Sequence, residues 1–125
     1  MDMKICTICK QEKSTDHFYS QKGHLFNRMS SCKSCFNKSC CQRWIRIKIE
    51  AINNKGGKCS RCNLNLQDSH YSVFEFHHNN PAEKDIDWNK MRLVSKERRD
   101  KELNKCSLLC ANCHRIIHSE GFPEQ

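Results

Sequence analysis

Apolar side chains are sparse along this chain and fall into short clusters between long polar stretches. Residues 10–31, KQEKSTDHFYSQKGHLFNRMSS, are polar and turn-rich, with Phe18, Tyr19 and Phe26 as the large apolar anchors. That supply predicts a pair of short strands rather than a packed layer. In residues 38–53, Ile45, Ile47 and Ile49 alternate with Arg46, Lys48 and Glu50, a strand pattern. Trp44, Lys48 and Ile52 with Ile45 and Ile49 equally make a helical face, and because no hairpin partner follows, a helix is expected. NNKGGK (53–58) is a turn and a natural hinge. SVFEFHH (72–78) reads as a short strand of aromatic and β-branched residues, ended by NNP because proline cannot donate into a ladder. Residues 95–109, strongly charged and free of Gly and Pro, are expected to include a helix starting near Ser95. NCHRIIHS (112–119) predicts a second helix, stopped by Gly121 and Pro123.

Those apolar clusters are a thin stock for a core. With 125 residues, 37% hydrophobic and 29% charged, the chain has room for one ordinary domain or two very small ones. Small domains bury a low share of their surface and need staples. The staple is visible as 11 cysteines and 7 histidines. Such cysteine use means disulfides in a short secreted chain and metal in an intracellular one. MDMKICTICK carries no apolar run of signal-peptide length, and no stretch approaches the roughly 20 apolar residues of a membrane span. The odd cysteine count also disfavours full pairing. Zinc in a reducing, intracellular compartment is the expectation, with no membrane.

Eight cysteines form four C-x-x-C pairs: Cys6/Cys9, Cys32/Cys35, Cys59/Cys62 and Cys110/Cys113. A two-residue spacer suits a tight turn that lets both thiolates reach one tetrahedral ion. Each zinc needs two pairs, and pairing nearest neighbours gives two structural sites. Other pairings remain open. Of the remaining three, Cys106 is expected as a small buried hydrophobe, and Cys40 and Cys41 as structural, though either is able to replace a ligand in the first site. The formal charge is +8. Two four-cysteine zinc sites would bring this to about +4, and one further divalent ion back to about +6. The protein stays basic, which suits a polyanion such as DNA or RNA.

Of the histidines, His17 and His24 sit beside an already filled cysteine site and are expected to be surface or packing residues. His114 and His118 share a helical face at i and i+4, so both imidazoles reach one ion. His77 and His78 on a strand point to opposite faces and can divide two jobs. Each pair alone also reads as ordinary surface or packing histidines. Together they gain weight: Cys113 directly precedes His114, and Cys59/Cys62 precede the His-His strand. One closed zinc site would therefore hold strand and helix against each other around an open site.

Here the chain resembles a known family. CSRC, FEFHHNNP and LLCANCHRIIH, in that order over about residues 55–120, resemble an HNH endonuclease of the cysteine-containing, ββα-metal or treble-clef kind. CTICKQEKSTDHFY…SCKSCFNKSC is similar to zinc-ribbon-like units beside phage-type and recombination endonucleases. The resemblance implies a small α+β, zinc-stabilised fold: a zinc-ribbon-like unit (1–40), a helical connector (41–57) and an HNH nuclease module (58–122). It implies His78 as the general base, and His77, His114 and His118 as ligands of a catalytic divalent ion. Many relatives have aspartate in place of His77. A three-imidazole set favours Zn, Ni, Co or Mn over Mg, which prefers oxygen. The middle asparagine of the HNH trio is missing: Lys105 occupies its position, with Asn104 and Asn112 nearest. The expected activity is phosphodiester hydrolysis, most naturally of DNA, leaving 3′-hydroxyl and 5′-phosphate ends. Lys84, Lys105 and Arg115 are candidates for phosphate contacts, or else ordinary solvated charges. The alternatives are a non-catalytic nucleic-acid-binding zinc protein and a protein-interaction zinc module. Both explain the cysteines, but not the placement of four histidines.

Overall fold

The computed structural model describes residues 2–120; the stops expected at Gly121 and Pro123 lie outside them. Four α-helices and two antiparallel two-stranded sheets make the described chain a small α+β protein. It divides into two compact units, the first reaching Trp44 and the second beginning at Ile45. The boundary falls inside a helix, α1 (Lys33–Asn54). The helix expected for the connector therefore begins earlier than its apolar face suggested, and the first zinc unit shares it.

In the first unit, β1 (Met3–Ile5) pairs with β2 (Glu12–Ser14). The alternation is inverted. Met3 and Ile5 are exposed, while Lys4 turns inward and donates from Nζ to the Arg28 carbonyl at 2.7 Å. Among the described residues of this unit, the only large side chain fully buried is Phe18, beside Cys6 and Cys32. So small an apolar core cannot offset the conformational entropy of ordering some forty residues. A cross-link at the cysteines is what this unit needs.

The second unit has a real core. β3 (Phe74–His78) pairs with β4 (Cys106–Cys110), Phe74 opposite Cys110 and His78 opposite Cys106. Phe74, Phe76, Leu108 and Leu109 pack with Ile52 and Ala51 of α1, with Met91 of α2 (Trp88–Met91), and with Leu103 of α3 (Lys96–Leu103). Ser95 caps α3 as expected, its hydroxyl accepting the Arg98 amide. Two expectations need correction. The helix from Ser95 fills only part of the charged stretch, and residues 106–110, for which no strand was expected, form β4. The buried face of α1 runs through Ile47, Ala51 and Ile52, with Ile45 and Ile49 at its margins. After β4 the chain turns directly into α4 (Ala111–Ser119), so β4 sets the position of α4 against β3.

Candidate metal centres and histidine site

The two cysteine clusters share one local construction. In the first, the Cys6 amide donates to Gln11 O at 3.0 Å and the Lys10 amide to Cys6 O at 2.9 Å. In the second, the Cys59 amide donates to Leu64 O and the Asn63 amide to Cys59 O, both at 2.9 Å. Lys10 and Asn63, each following the second cysteine, both take a left-handed φ of 64°. The partner pair lies in each case at a helix start: Cys32 and Cys35 at α1, Cys110 and Cys113 at α4. Helix N-termini favour thiolate over thiol.

The sulfurs converge as the nearest-neighbour pairing requires. Cys6, Cys9, Cys32 and Cys35 form one set, and Cys59, Cys62, Cys110 and Cys113 the other, with donor atoms in each set all within 4.8 Å of one another. Cys62 Sγ lies 3.7 Å from Cys110 Sγ. A tetrahedron built on Zn–S bonds of ~2.3 Å has edges of about 3.8 Å, so the spacing fits. The charges agree. Burial opposes ionisation of Cys6, but the amides of Cys32, Cys9 and Ile8 outweigh it and bring the thiol down to about 5. Its neighbour Cys35 is pushed up to about 12, first by sharing a proton with Cys32 and then by burial. The second set repeats this: Cys59 falls to about 6 against its own burial through the amides of Cys62, Cys110 and Arg61, while burial and Cys110 push Cys113 up to about 12. Four thiols this close cannot all ionise beside one another. A divalent cation supplies the charge that lets them, so both sets fit structural zinc. Lys13, unnoticed in the sequence, donates from Nζ to Cys32 Sγ at 3.3 Å. Cys106 is buried and donates to Glu102 O; Cys40 is half-buried and Cys41 exposed, and neither joins a cluster.

The third convergence is histidine. Phe74, Phe76 and His78 face inward on β3, and Glu75 and His77 face the other way, toward α4. His114 and His118, one turn apart on α4, meet His77 there with the donor nitrogens of all three within 4.8 Å. Glu75 accepts the Nδ1 hydrogen of His114. That leaves His114 Nε2 to present its lone pair, and it lies 2.9 Å from His118 Nε2. Zn–N bonds of ~2.05 Å would give an edge of about 3.3 Å, so a small separation of the two rings admits an ion. Burial, followed by the nearby His114, His118 and His78, lowers the pKa of His77. A neutral imidazole is the form that donates to metal.

His78 lies on the other face of β3, yet it lines the same cavity of about 190 Å³ as His77, His114, His118, Pro81 and Lys84. Its Nε2 is 2.9 Å from Glu102 Oε1 in a largely buried pair. Burial would raise the Glu102 carboxyl, but the Asp85 amide, Lys105, His78 and the Ile86 amide prevail and hold it at about 2. Glu102 is thus a carboxylate and accepts the Nε2 hydrogen of His78; in the neutral ring the lone pair then lies on Nδ1. No buried side-chain nitrogen among the described residues lacks a partner, so Nδ1, which makes no hydrogen bond, is open to the cavity.

Glu102 was missed in the sequence. Nothing in the charged run 96–102 singled it out, and it is the packing of α3 on the β3–β4 sheet that buries it with Arg99 and Leu103. Of the residues near the expected orienting asparagine, Asn104 caps α3, Asn112 is exposed on α4, and Lys105 bonds Glu102 Oε2 at 3.1 Å and Glu83 O at 3.0 Å. Lys105 thus places its ammonium against the Glu102 carboxylate. Lys84 lines the cavity, and Arg115 is exposed on α4. His17 and His24 stand in no cluster. No described helix is long and apolar enough to cross a membrane. Comparisons with family models, curated proteins and solved structures give no match to this chain.

Proposed function

We propose that this protein is a metal-dependent endonuclease that hydrolyses phosphodiester bonds, DNA being the favoured substrate. The observation that carries the reading is the meeting of His77, His114 and His118 in one cavity with His78, whose free nitrogen faces the same space. Three ligands leave positions open, the mark of a catalytic rather than a structural site. A divalent ion held there would polarise the phosphoryl group and stabilise the leaving 3′ oxygen.

The chain's own groups divide the remaining work. His78 Nδ1 takes the proton of the attacking water, and Glu102 stabilises the imidazolium that results while keeping the ring in the required tautomer. Glu75 orients His114 and raises its basicity as a ligand. Lys84 lines the cavity as a cation for the phosphate. Nicking of supercoiled plasmid with Mn, Ni, Co, Zn or Mg tests the reading, with His78→Ala as the control. A binding-only zinc protein would retain gel-shift activity in both and cut in neither.

A further inference from the structure

A second cavity, of about 200 Å³, lies beside the histidine site and shares His114 as a wall. Its other lining residues are Lys48, Phe74, Glu75, Phe76 and Trp88. Two observations set it apart from a packing defect. The Phe76 and Trp88 rings lie together, centroids 4.7 Å apart, on β3 and α2, and form an aromatic wall of the cleft. Lys48 places an ammonium at this wall in a half-buried position, and burial pulls its pKa down against the raising effect of Glu75. Lys4, Lys13 and Lys105 all spend their ammonium groups on carbonyls, sulfur or carboxylate. Lys48 makes no hydrogen bond or ion pair among the described residues. The one carboxylate lining the cleft, Glu75, is engaged by His114 Nδ1.

We propose that this cleft receives one unstacked nucleobase of a bound strand, that of the nucleotide next to the phosphate at the histidine site, with Lys48 pairing that nucleotide's own phosphate. The inference rests on the reading of the histidine cluster as the phosphodiester site. An aromatic wall with a cation at its edge offers a nucleotide both stacking and charge. A base inside a duplex has no free face to offer, so the cleft selects single-stranded or locally opened DNA. This makes the substrate class narrower than duplex DNA in general.

The test uses the full-length zinc-loaded protein and a labelled single-stranded 12-nucleotide DNA, followed by fluorescence anisotropy in EDTA at a concentration that spares the cysteine sites. Lys48→Met should weaken binding about tenfold and lower the salt slope by about 0.7, one phosphate contact on a single strand; Lys48→Arg should restore most of both. In a Trp44→Phe background, the 12-mer should quench Trp88 fluorescence, and a 12-mer of abasic nucleotides should not. A matched duplex should bind more weakly than the single strand at the same salt. Unchanged affinity and slope in Lys48→Met, or equal quenching by the abasic strand, would overturn the proposal. Cleavage by wild type with no Lys48 effect rejects the cleft and leaves the nuclease standing. Lys48-dependent binding without cleavage under any metal rejects the nuclease and retains a nucleotide cleft.

Discussion

The imidazole of His78 donates an Nε2–H hydrogen bond to Glu102 Oε1 across 2.9 Å, joining the end of β3 to α3. Three further donors hold that carboxylate: the Asp85 amide at 2.9 Å, the Ile86 amide at 3.4 Å and Lys105 Nζ at 3.1 Å. Glu102→Gln keeps the shape and removes the charge. Its amide can present N–H to the ring, which favours the wrong tautomer. The expected result is a fall in turnover of about 10²-fold with KM little changed, measured in single-turnover cleavage. Equal loss in KM and turnover would show that Glu102 serves packing instead.

Lys105 separates two ideas that the sequence left joined. If its ammonium supports Glu102, Lys105→Met slows cleavage several-fold and leaves DNA affinity and its salt slope unchanged. A drop in slope of about one phosphate contact would instead make Lys105 a DNA ligand.

Glu75 and His114 form the corresponding pair on the metal side. Glu75→Ala should weaken metal binding at the histidine site by about 10–100-fold, read by calorimetric titration of Mn or Ni into zinc-loaded protein. The zinc at the cysteine sites should be unaffected. Loss of both classes of metal would mean that Glu75 holds up the fold.

The cysteine sites carry a different prediction. Cys59 and Cys113 lie within the core of the second unit. Removing a ligand should therefore cost folding itself, since structural zinc contributes roughly 10–16 kcal/mol in small zinc modules. Cys59→Ser should bind one zinc fewer and lose the cooperative melting of that unit by circular dichroism. A variant with the full zinc content and an unchanged melting curve would contradict the assignment.

How much of this was legible in advance follows from how local each signal is. A C-x-x-C turn is set by four residues, so the four pairs could be read directly, while their grouping was one of several open pairings until the fold brought the sulfurs together. His114 and His118 were readable for the same reason, one helical turn apart. β4 was not. CSLLC is a short apolar run whose strand is covered on both faces, and such a run lacks the alternation that separates strand from helix. The buried face of α1 was also misjudged, because several isoleucines compete there and only β3 and the helices packed on it decide which turn inward. Glu102 is the clearest case of tertiary choice. Glu97, Asp100 and Glu102 look alike in a charged stretch, and only the arrival of His78 from β3 distinguishes one of them.

The central claim is that His78 acts on water beside an ion held by His77, His114 and His118. Plasmid nicking by zinc-loaded protein with added Mn or Ni, run beside His78→Ala at equal metal occupancy of the histidine site, tests it most directly. Wild type is expected to convert supercoiled to open-circular DNA, slowed by about 10²-fold or more in the variant. Equal rates in the two proteins, or no cleavage by wild type with any divalent metal, would contradict it.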